Sequence, residues 1–291
     1  MAAIRGKYFR LVTLGVQAVD ITQQGEWAKG GNLMTSSIRL DDKVALITGV
    51  GTGIGRIAAL MFCAAGARVV GCDLNAGGCT ETVRRATAAG GSMVAMSPVD
   101  LGDADAARAW VDAAAEVHGR VDVLYNNAST QRFGAIDELS VADWDFTIRN
   151  ELNLVFYTVK AAWPHLIAAG GGSIINVGSI AGLRGVEFMA QNAHGTAKAG
   201  VLSLTRQLVV EGGPHRIRAN AISPGLVETD NTRPLIENPF PAFKEMYARI
   251  PLGRHGQPED IVRGALFLAS DESSWINGAN PVTDGGASVL G

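Results

Sequence analysis

The sequence of 291 residues has few cysteines, few aromatic residues and no excess of basic residues. Its three cysteines show no metal-ligand spacing, and their odd number argues against a disulfide scaffold, so we predict no metal site and a reducing cytoplasm. The net charge of −3 argues against a nucleic-acid partner, because phosphate groups require a basic surface. No apolar run approaches the roughly 20 residues of a membrane-spanning helix, so we expect no membrane partner.

Residues 1–40 differ in composition from the rest of the chain. Basic residues near the start precede the moderately apolar stretch Leu11–Ile21, which polar residues interrupt. We expect residues 1–40 to be a loosely ordered extension, or translation to start at Met34. The length suits one large domain or two small ones, but neither a linker nor an internal repeat divides residues 41–291. The sequence therefore predicts one domain over that range.

From Asp42 onward, short apolar runs alternate with longer amphipathic segments. The predicted strands are Val44–Thr48, Ala67–Asp73, Met93–Val99, Val121–Asn126, Ser173–Val177 and Arg218–Ile222, with a short one near Asn280–Val282. The predicted helices are Ile54–Ala65, Cys79–Ala89, Ala104–His118, Val141–Ala168, Ala193–Glu211 and Pro258–Ala269. Strands without polar alternation are covered on both faces. The pattern predicts an α/β fold with a single doubly wound Rossmann-type parallel sheet flanked by helices, and ligands at the carboxyl ends of its strands.

A glycine-rich turn follows the first predicted strand and opens the first helix. Its predicted phosphate-binding residues are Gly49, Thr52, Gly53, Ile54 and Gly55. Glycines allow the backbone to approach a pyrophosphate closely, and the following helix N-terminus favours the negative charge. The strand before and the helix after this turn make a dinucleotide site the preferred interpretation.

Asp73 ends the second predicted strand, 18 residues after Gly55. A carboxylate at that place accepts hydrogen bonds from ribose hydroxyls and repels a 2′-phosphate. No arginine or lysine lies between Gly71 and Arg84 to bind such a phosphate. The sequence therefore predicts NAD rather than NADP.

Further motifs follow in the order of a known family. They are Asp100-Leu101, Asn126-Asn127-Ala128, Ser179-Ile180-Ala181-Gly182, Pro224-Gly225 with Thr229, and Asp284-Gly285-Gly286. With Thr-Gly-x-x-x-Gly-x-Gly at 48–55, they resemble the motifs of the short-chain dehydrogenase/reductase family over residues 41–288. The resemblance implies a nicotinamide cofactor that is also held by Asp100, Leu101, Asn127, Ala128, Lys198, Pro224, Gly225, Val227 and Thr229.

The catalytic residues of this family are an asparagine, a serine, a tyrosine and a lysine. The resemblance implies that Ser179 orients the substrate oxygen and that Lys198 holds the nicotinamide ribose. His194 stands where the family has tyrosine, and Glu151 stands where an alignment without gaps expects asparagine. Ser129 replaces the last glycine of Asn-Asn-Ala-Gly. The chain resembles an atypical member, whose predicted catalytic residues are Ser179, His194, Lys198 and Glu151.

The histidine determines which reaction we expect. A neutral imidazole accepts a proton readily and donates one poorly, which favours oxidation of an alcohol over reduction of a carbonyl. We expect hydride transfer between a secondary alcohol or carbonyl substrate and NAD, with His194 as acid–base. Two alternatives remain open, namely an NAD-binding sensor or scaffold without redox turnover, and a non-redox elimination or hydration in the same pocket.

Two further expectations rest on the resemblance. The apolar, proline-containing segment at residues 229–256 resembles the lid that closes over the substrate in this family. Members of the family pair two long helices across a two-fold axis, so a homo-oligomer, either a dimer or a homotetramer, is expected. The apolar positions on those helices would equally suit the core of a monomer.

Overall fold

The computed structural model describes residues 38–187 and 189–289, and its strands form one seven-stranded sheet. The strands are β1 (Val44–Thr48), β2 (Arg68–Cys72), β3 (Ser92–Met96), β4 (Val123–Asn126), β5 (Gly172–Val177), β6 (Ile217–Pro224) and β7 (Val282–Thr283). All neighbouring strands run parallel. The predicted doubly wound parallel sheet is confirmed. Most of the predicted extension, residues 1–37, lies outside the described residues.

Helices cover both faces of this sheet. They are α1 (Gly53–Ala64), α2 (Ala76–Ala88), α3 (Ala104–His118), α4 (Val141–Ile148), α5 (Leu154–Ala168), α6 (Asn192–Gly212), α7 (Arg233–Glu237), α8 (Pro241–Ala248) and α9 (Pro258–Ala269). Because side chains alternate along a strand, β1 contributes to two apolar layers. Ala45 and Ile47 pack in the layer that contains α1 and α9, and Val44 and Leu46 pack in the layer that contains α3 and α5.

The order of strands across the sheet is β3-β2-β1-β4-β5-β6-β7. The chain builds outward from β1 to β3 and then crosses to the other side of β1 to form β4. The loops that follow β1 and β4 therefore diverge, and a crevice opens at the carboxyl ends of these two strands. This crevice is the place that the sequence predicts for the cofactor.

The predicted helix Val141–Ala168 is interrupted in the structure. A π-helical turn, Arg149–Asn153, separates α4 from α5. The side-chain amide of Asn150 donates a hydrogen bond of 2.8 Å to the carbonyl of Phe146, which competes with the regular helical ladder at that carbonyl. Such turns occur often at functional sites. This one points Glu151 inward, where its side chain is fully buried.

The apolar residues of the two long helices that suggested an oligomer lie mostly in the core of the described chain. Val155 and Val159 of α5 and Val201 of α6 are buried in the same layer as β1. Core packing therefore accounts for these positions. No helix of the described residues combines the length and apolarity that a membrane crossing requires.

The loop between β1 and α1 packs closely at its glycines. Gly49 has a φ of +73°, a conformation that favours glycine. A Cβ atom on Gly55 would collide with the carbonyl oxygen of Gly49 and approach the side chain of Asn127. The first turn of α1 can therefore lie against the end of β1 only because residue 55 is glycine.

We expect Gly55→Ala to destabilise the protein, because the added methyl group meets backbone rather than a movable side chain. Overpacking of this kind costs about 1–3 kcal/mol. In a protein of this size that cost lowers the melting temperature by roughly 2–12 °C, which differential scanning calorimetry measures.

Gly264→Ala in α9 is the matched control. The added Cβ would lie 3.6 Å from Cδ1 of Ile222, an ordinary contact, and alanine is favoured over glycine in a helix by about 1 kcal/mol. Its melting temperature should be unchanged or higher. Equal melting temperatures for the two variants would contradict the steric argument.

Candidate active site

A cleft of about 370 Å³ opens at the carboxyl ends of β1, β2 and β4. The predicted cofactor-binding residues that line it are Gly49, Thr52, Gly53, Ile54, Asp73, Asp100, Leu101, Asn127, Ala128 and Thr229. Residues far apart in sequence therefore meet here. The parallel topology brings them together, because it places the ends of successive strands at one edge of the sheet.

Some predicted cofactor-binding residues lie outside this lining. They are Gly55, Lys198, Pro224, Gly225 and Val227. Gly225 packs so closely on Asp284 that a Cβ would lie 2.6 Å from that residue's own Cβ. Val227 is buried and forms an isolated bridge with Gly256. In this structure the loop after β6 is thus fixed by contacts with its own neighbours.

Hydrogen bonds join the two loops that form the cleft. The hydroxyl of Thr48 accepts bonds of 2.9 Å from the backbone N–H groups of Asn127 and Ala128. The side-chain amide of Asn127 donates back to the carbonyl of Thr48 over 3.1 Å. The glycine-rich loop is therefore held against the end of β4, and the cleft is preformed.

Asp73 lies at the edge of the cleft beside the glycine-rich loop. Its carboxylate accepts hydrogen bonds of 2.8 Å from the backbone N–H groups of Gly51 and Asn75. These bonds hold the negatively charged carboxylate of Asp73 beside the end of β2. A glycine-rich loop at a helix N-terminus and a carboxylate acceptor beside it fit the phosphates and ribose of a dinucleotide.

Asp100 is paired with an arginine that the sequence analysis did not single out. Nη2 of Arg149 donates a hydrogen bond of 2.7 Å to the carboxylate, and the backbone N–H of Gly102 donates another of 3.0 Å. The bond from Arg149 lowers the pKa of Asp100. Arg149 belongs to the π-helical turn, so this pair connects the cleft to the segment that carries Glu151.

The four predicted catalytic residues form one cluster. Nδ1 of His194 lies 2.8 and 2.9 Å from the two carboxylate oxygens of Glu151. On the other side of the ring, Nε2 lies 3.3 Å from the hydroxyl oxygen of Ser179. Nζ of Lys198 lies 3.9 Å from Oε1 of Glu151. A hydroxyl, an imidazole and a carboxylate thus lie in sequence, with an ammonium beside the carboxylate.

The carboxylate of Glu151 is completely buried and fully partnered. Besides His194 and Lys198, the hydroxyl of Ser129 donates a hydrogen bond to it. Burial alone would raise the pKa of Glu151. The neighbouring ammonium and the hydrogen-bond donors outweigh burial, so the pKa lies below its ordinary value and the carboxylate is ionised at neutral pH.

Lys198 is buried as well, and its ammonium donates a hydrogen bond of 3.1 Å to the carbonyl of Val177 at the end of β5. Burial lowers the pKa of Lys198, whereas the negative charge of Glu151 opposes that shift. The two charges lie close together in a low-dielectric interior, where each offsets part of the other's desolvation.

Two glycines allow the cluster to assemble. A Cβ on Gly182 would lie 2.8 Å from the backbone of Lys198, and one on Gly195 would lie 2.7 Å from the carbonyl of Ala181. The start of α6 therefore packs directly on the segment after Ser179. This approach brings the imidazole of residue 194 within reach of the serine hydroxyl.

The ring of His194 is contacted by several side chains but remains partly exposed to solvent. Its side chain is 13% exposed, and the ring of Phe133 meets it edge-on with centroids 5.9 Å apart. With Nδ1 bonded to an ionised carboxylate, Nε2 is the nitrogen that faces Ser179. The arrangement can place an oxygen-bearing substrate between a hydroxyl donor and an imidazole base.

Sequence reasoning noted Ser129 only as a departure from a motif, without a role at the site, and it missed Arg149 and Phe133. Ser129 carried a usable signal, because it changes a family motif at the same time as two catalytic positions change. Arg149 and Phe133 belong to no motif, and only the fold brings them to the site. In the described residues no cluster of three or more histidine, cysteine or acidic side chains suits a metal.

A family model described as enoyl-(acyl carrier protein) reductase matches residues 49–288. A 3-oxoacyl-(acyl-carrier-protein) reductase of Thermotoga maritima is 36% identical over 86% of this chain and 99% of its own length. A trans-4-hydroxycyclohexanecarboxylate dehydrogenase of Sinomonas cyclohexanicum is 40% identical over 86% and 94%. The crystal structure of a putative 2-deoxy-D-gluconate 3-dehydrogenase from Agrobacterium tumefaciens, with bound NADP, has a TM-score of 0.79 at 34% identity and covers 88% of this chain and 100% of its own. The chain therefore belongs to the short-chain dehydrogenase/reductase family.

Proposed function

We propose that this chain is an NAD-dependent oxidoreductase that transfers a hydride between a secondary alcohol or carbonyl substrate and nicotinamide, with His194 as the acid–base. The observation that carries the proposal is the orientation of the imidazole. Nδ1 is bonded to the buried carboxylate of Glu151, and Nε2 faces Ser179 at 3.3 Å. Because Nδ1 is bonded to the carboxylate, Nε2 on the other side of the ring is the proton acceptor.

The geometry supports oxidation of an alcohol with the substrate bound in one orientation. The substrate oxygen would lie between Ser179 and His194, accepting a hydrogen bond from the serine hydroxyl and giving its proton to Nε2. The ionised carboxylate of Glu151 stabilises the imidazolium that results. A bound nicotinamide supplies the hydride acceptor in this direction and the hydride donor in the reverse direction.

Lys198 would hold the nicotinamide ribose, as the family resemblance implies. Its ammonium is fixed by the carbonyl of Val177 and lies 3.9 Å from Glu151. The carboxylate of Glu151 therefore does two things: it offsets the charge of Lys198, and it fixes the orientation of the His194 ring.

We interpret the three departures from the family pattern as one coordinated change. Ser129, Glu151 and His194 replace glycine, asparagine and tyrosine of the family motifs. In the structure, Ser129 donates to Glu151, and Glu151 bonds His194. Mutual contact supports a rebuilt acid–base system, since three independent losses would have no reason to fit each other. This favours turnover over the alternative of a cofactor-binding scaffold.

The choice of NAD over NADP rests on Asp73. Its carboxylate lies at the edge of the cleft and bonds two backbone N–H groups. A 2′-phosphate at that place would meet a negative charge at close range, which costs several kcal/mol. A related structure contains bound NADP, so the fold alone does not select the cofactor, and we assign the preference to Asp73.

The proposal extends to the surroundings of the site. The segment 229–256, with α7 and α8, would act as the substrate lid, and Thr229 already lines the cleft. A homo-oligomer, either a dimer or a tetramer, is consistent with the exposed side chains of Phe156 and Ile167 on α5, and sedimentation velocity tests it. The free cysteines, all buried, are compatible with the cytoplasm.

We expect His194→Gln to abolish most alcohol oxidation while NAD still binds. Loss of a general base costs roughly 10²–10⁴-fold in rate, and the glutamine side chain cannot take up the proton. NADH formation is measured by absorbance with a panel of secondary alcohols, and NAD affinity by calorimetry.

His215→Gln is the matched control, since that histidine is exposed and lies outside the cluster. It should leave oxidation unchanged. Full activity of His194→Gln would overturn the acid–base assignment. So would tight binding of NAD without turnover of any alcohol by the unaltered enzyme.

We expect Glu151→Gln to lower kcat for oxidation by roughly 100-fold or more, because an uncharged amide no longer fixes the imidazole proton or stabilises the imidazolium. Ser129→Ala removes one hydrogen bond to the carboxylate, and about 2–10-fold is expected. Both effects should fall on kcat, with substrate KM little changed, as steady-state kinetics will show.

The double variant Glu151→Asn/His194→Tyr tests the same network from the opposite side. It recreates the catalytic residues of the family and should oxidise alcohols with an optimum at higher pH, since a phenol titrates near pH 10 in its ordinary range. The single variant His194→Tyr should be less active than the double. Independent, additive effects of the two substitutions would contradict a coordinated change.

We expect Asp73→Asn to shift the cofactor preference towards NADP. Gly51 and Asn75 donate to different oxygens of Asp73, so the amide oxygen keeps only one of the two backbone hydrogen bonds. The charge that repels a 2′-phosphate is gone. The ratio of kcat/KM for NAD to that for NADP should fall by roughly 10–100-fold. Asp105→Asn, an exposed position on α3, is the control. An unchanged ratio in Asp73→Asn would refute the role of Asp73.

A further inference from the structure

The cluster around His194 also has the arrangement of a nucleophilic serine site. The hydroxyl oxygen of Ser179 lies 3.3 Å from Nε2, and Nδ1 lies 2.8 Å from a carboxylate oxygen of Glu151. On unrelated folds, a serine, a histidine and a carboxylate in this order activate the serine for attack on acyl groups. A tyrosine at position 194 would not provide this, because a neutral phenol is not a base.

We propose that this chain catalyses acyl transfer from esters to water, with Ser179 as nucleophile, His194 as general base and Glu151 as the orienting carboxylate. The reaction uses the same side chains as alcohol oxidation but requires no nicotinamide. It is therefore a second activity of the site, and it can be tested separately from hydride transfer.

The protonation of the cluster suits this chemistry. The carboxylate of Glu151 is buried and ionised, and an ionised carboxylate only accepts hydrogen bonds. The neutral imidazole must therefore carry its proton on Nδ1, which leaves the lone pair of Nε2 directed at Ser179. Hydroxyl-to-imidazole distances are often long without substrate and shorten when it binds.

Ser179 is itself oriented by the backbone. It follows β5 by two residues and begins a short 3₁₀ turn, Ile180–Gly182, whose Ala181 N–H donates a hydrogen bond of 3.1 Å to Oγ. One lone pair of Oγ is thereby used by the backbone. The hydroxyl proton remains available to His194, and the second lone pair is available to an acyl carbon.

A smaller cleft offers room for the acyl group. It has a volume of about 170 Å³, and its lining includes Ile180, the residue after the proposed nucleophile. Val186 and Met246 contribute apolar side chains to its lining. Four charged side chains also belong to the lining, so the size of the cleft, rather than an apolar character, restricts the acyl group to a short chain.

The reaction balances without an oxidant or reductant. Oγ of Ser179 forms a bond to the ester carbonyl carbon while its proton moves to Nε2. The bond from that carbon to the alkoxy oxygen then breaks, and the leaving alkoxide takes the proton from Nε2. Water attacks the acyl-serine, its proton passes through Nε2 to Oγ, and a carboxylic acid and free Ser179 result.

The experiment uses the full chain, p-nitrophenyl acetate and no nucleotide. We expect saturable release of p-nitrophenolate above the buffer rate, reduced by roughly 100-fold or more in Ser179→Ala and His194→Gln. Glu151→Gln should also reduce it. Mass spectrometry after a brief reaction should find one acetyl group, on the peptide that contains Ser179.

The controls address reactions at the protein surface. Ser203→Ala and His215→Gln, both at exposed positions, should hydrolyse the ester like the unaltered protein, and melting temperatures check that each variant is folded. A rate no greater than that of buffer, a full rate in folded Ser179→Ala, or acetyl groups only on other residues would each overturn the proposal. Alcohol oxidation with NAD is assayed on the same preparations, so failure of one activity is distinguished from failure of the other.

Discussion

The buried charge of Glu151 is the constraint on which the rest of the site depends. Removing an ionised carboxylate from water costs several kcal/mol unless partners compensate for it. Here His194, Lys198 and the hydroxyl of Ser129 all contact it. Each of these side chains is in turn restrained by the carboxylate, so the charge determines which way the imidazole faces and where the ammonium lies.

Two local features of the backbone place the carboxylate of Glu151 and the residues around it. A π-helical turn between α4 and α5 directs Glu151 inward, and close backbone packing at Gly182 and Gly195 brings α6 against the segment of Ser179. A regular helix through the turn would change the direction of Glu151, and larger side chains at the two glycines would hold α6 away from that segment. The sheet contributes the common edge at which these segments end, and the helices on both faces hold it in place.

Much of the fold could be predicted from the sequence, because strands covered on both faces are apolar without interruption and β1, α3 and α9 have clear ends. The glycine-rich loop was recognisable because its backbone geometry requires glycine. The π-helical turn was not, since it depends on the amide of Asn150 competing for one carbonyl. Motif positions indicated Glu151 and His194 as candidates, but no spacing reveals that Ser129 meets them from another loop. Such contacts arise from the packing of distant segments.

Arg149 and Glu151 lie in the same five-residue turn but contact different parts of the site. Arg149 holds Asp100 on the side where a dinucleotide's base would lie, and Glu151 holds the imidazole on the side of the chemistry. A shift of that turn at either end must displace the other, because one residue separates them. Natural variation within the turn is therefore expected to alter cofactor affinity and catalytic rate together.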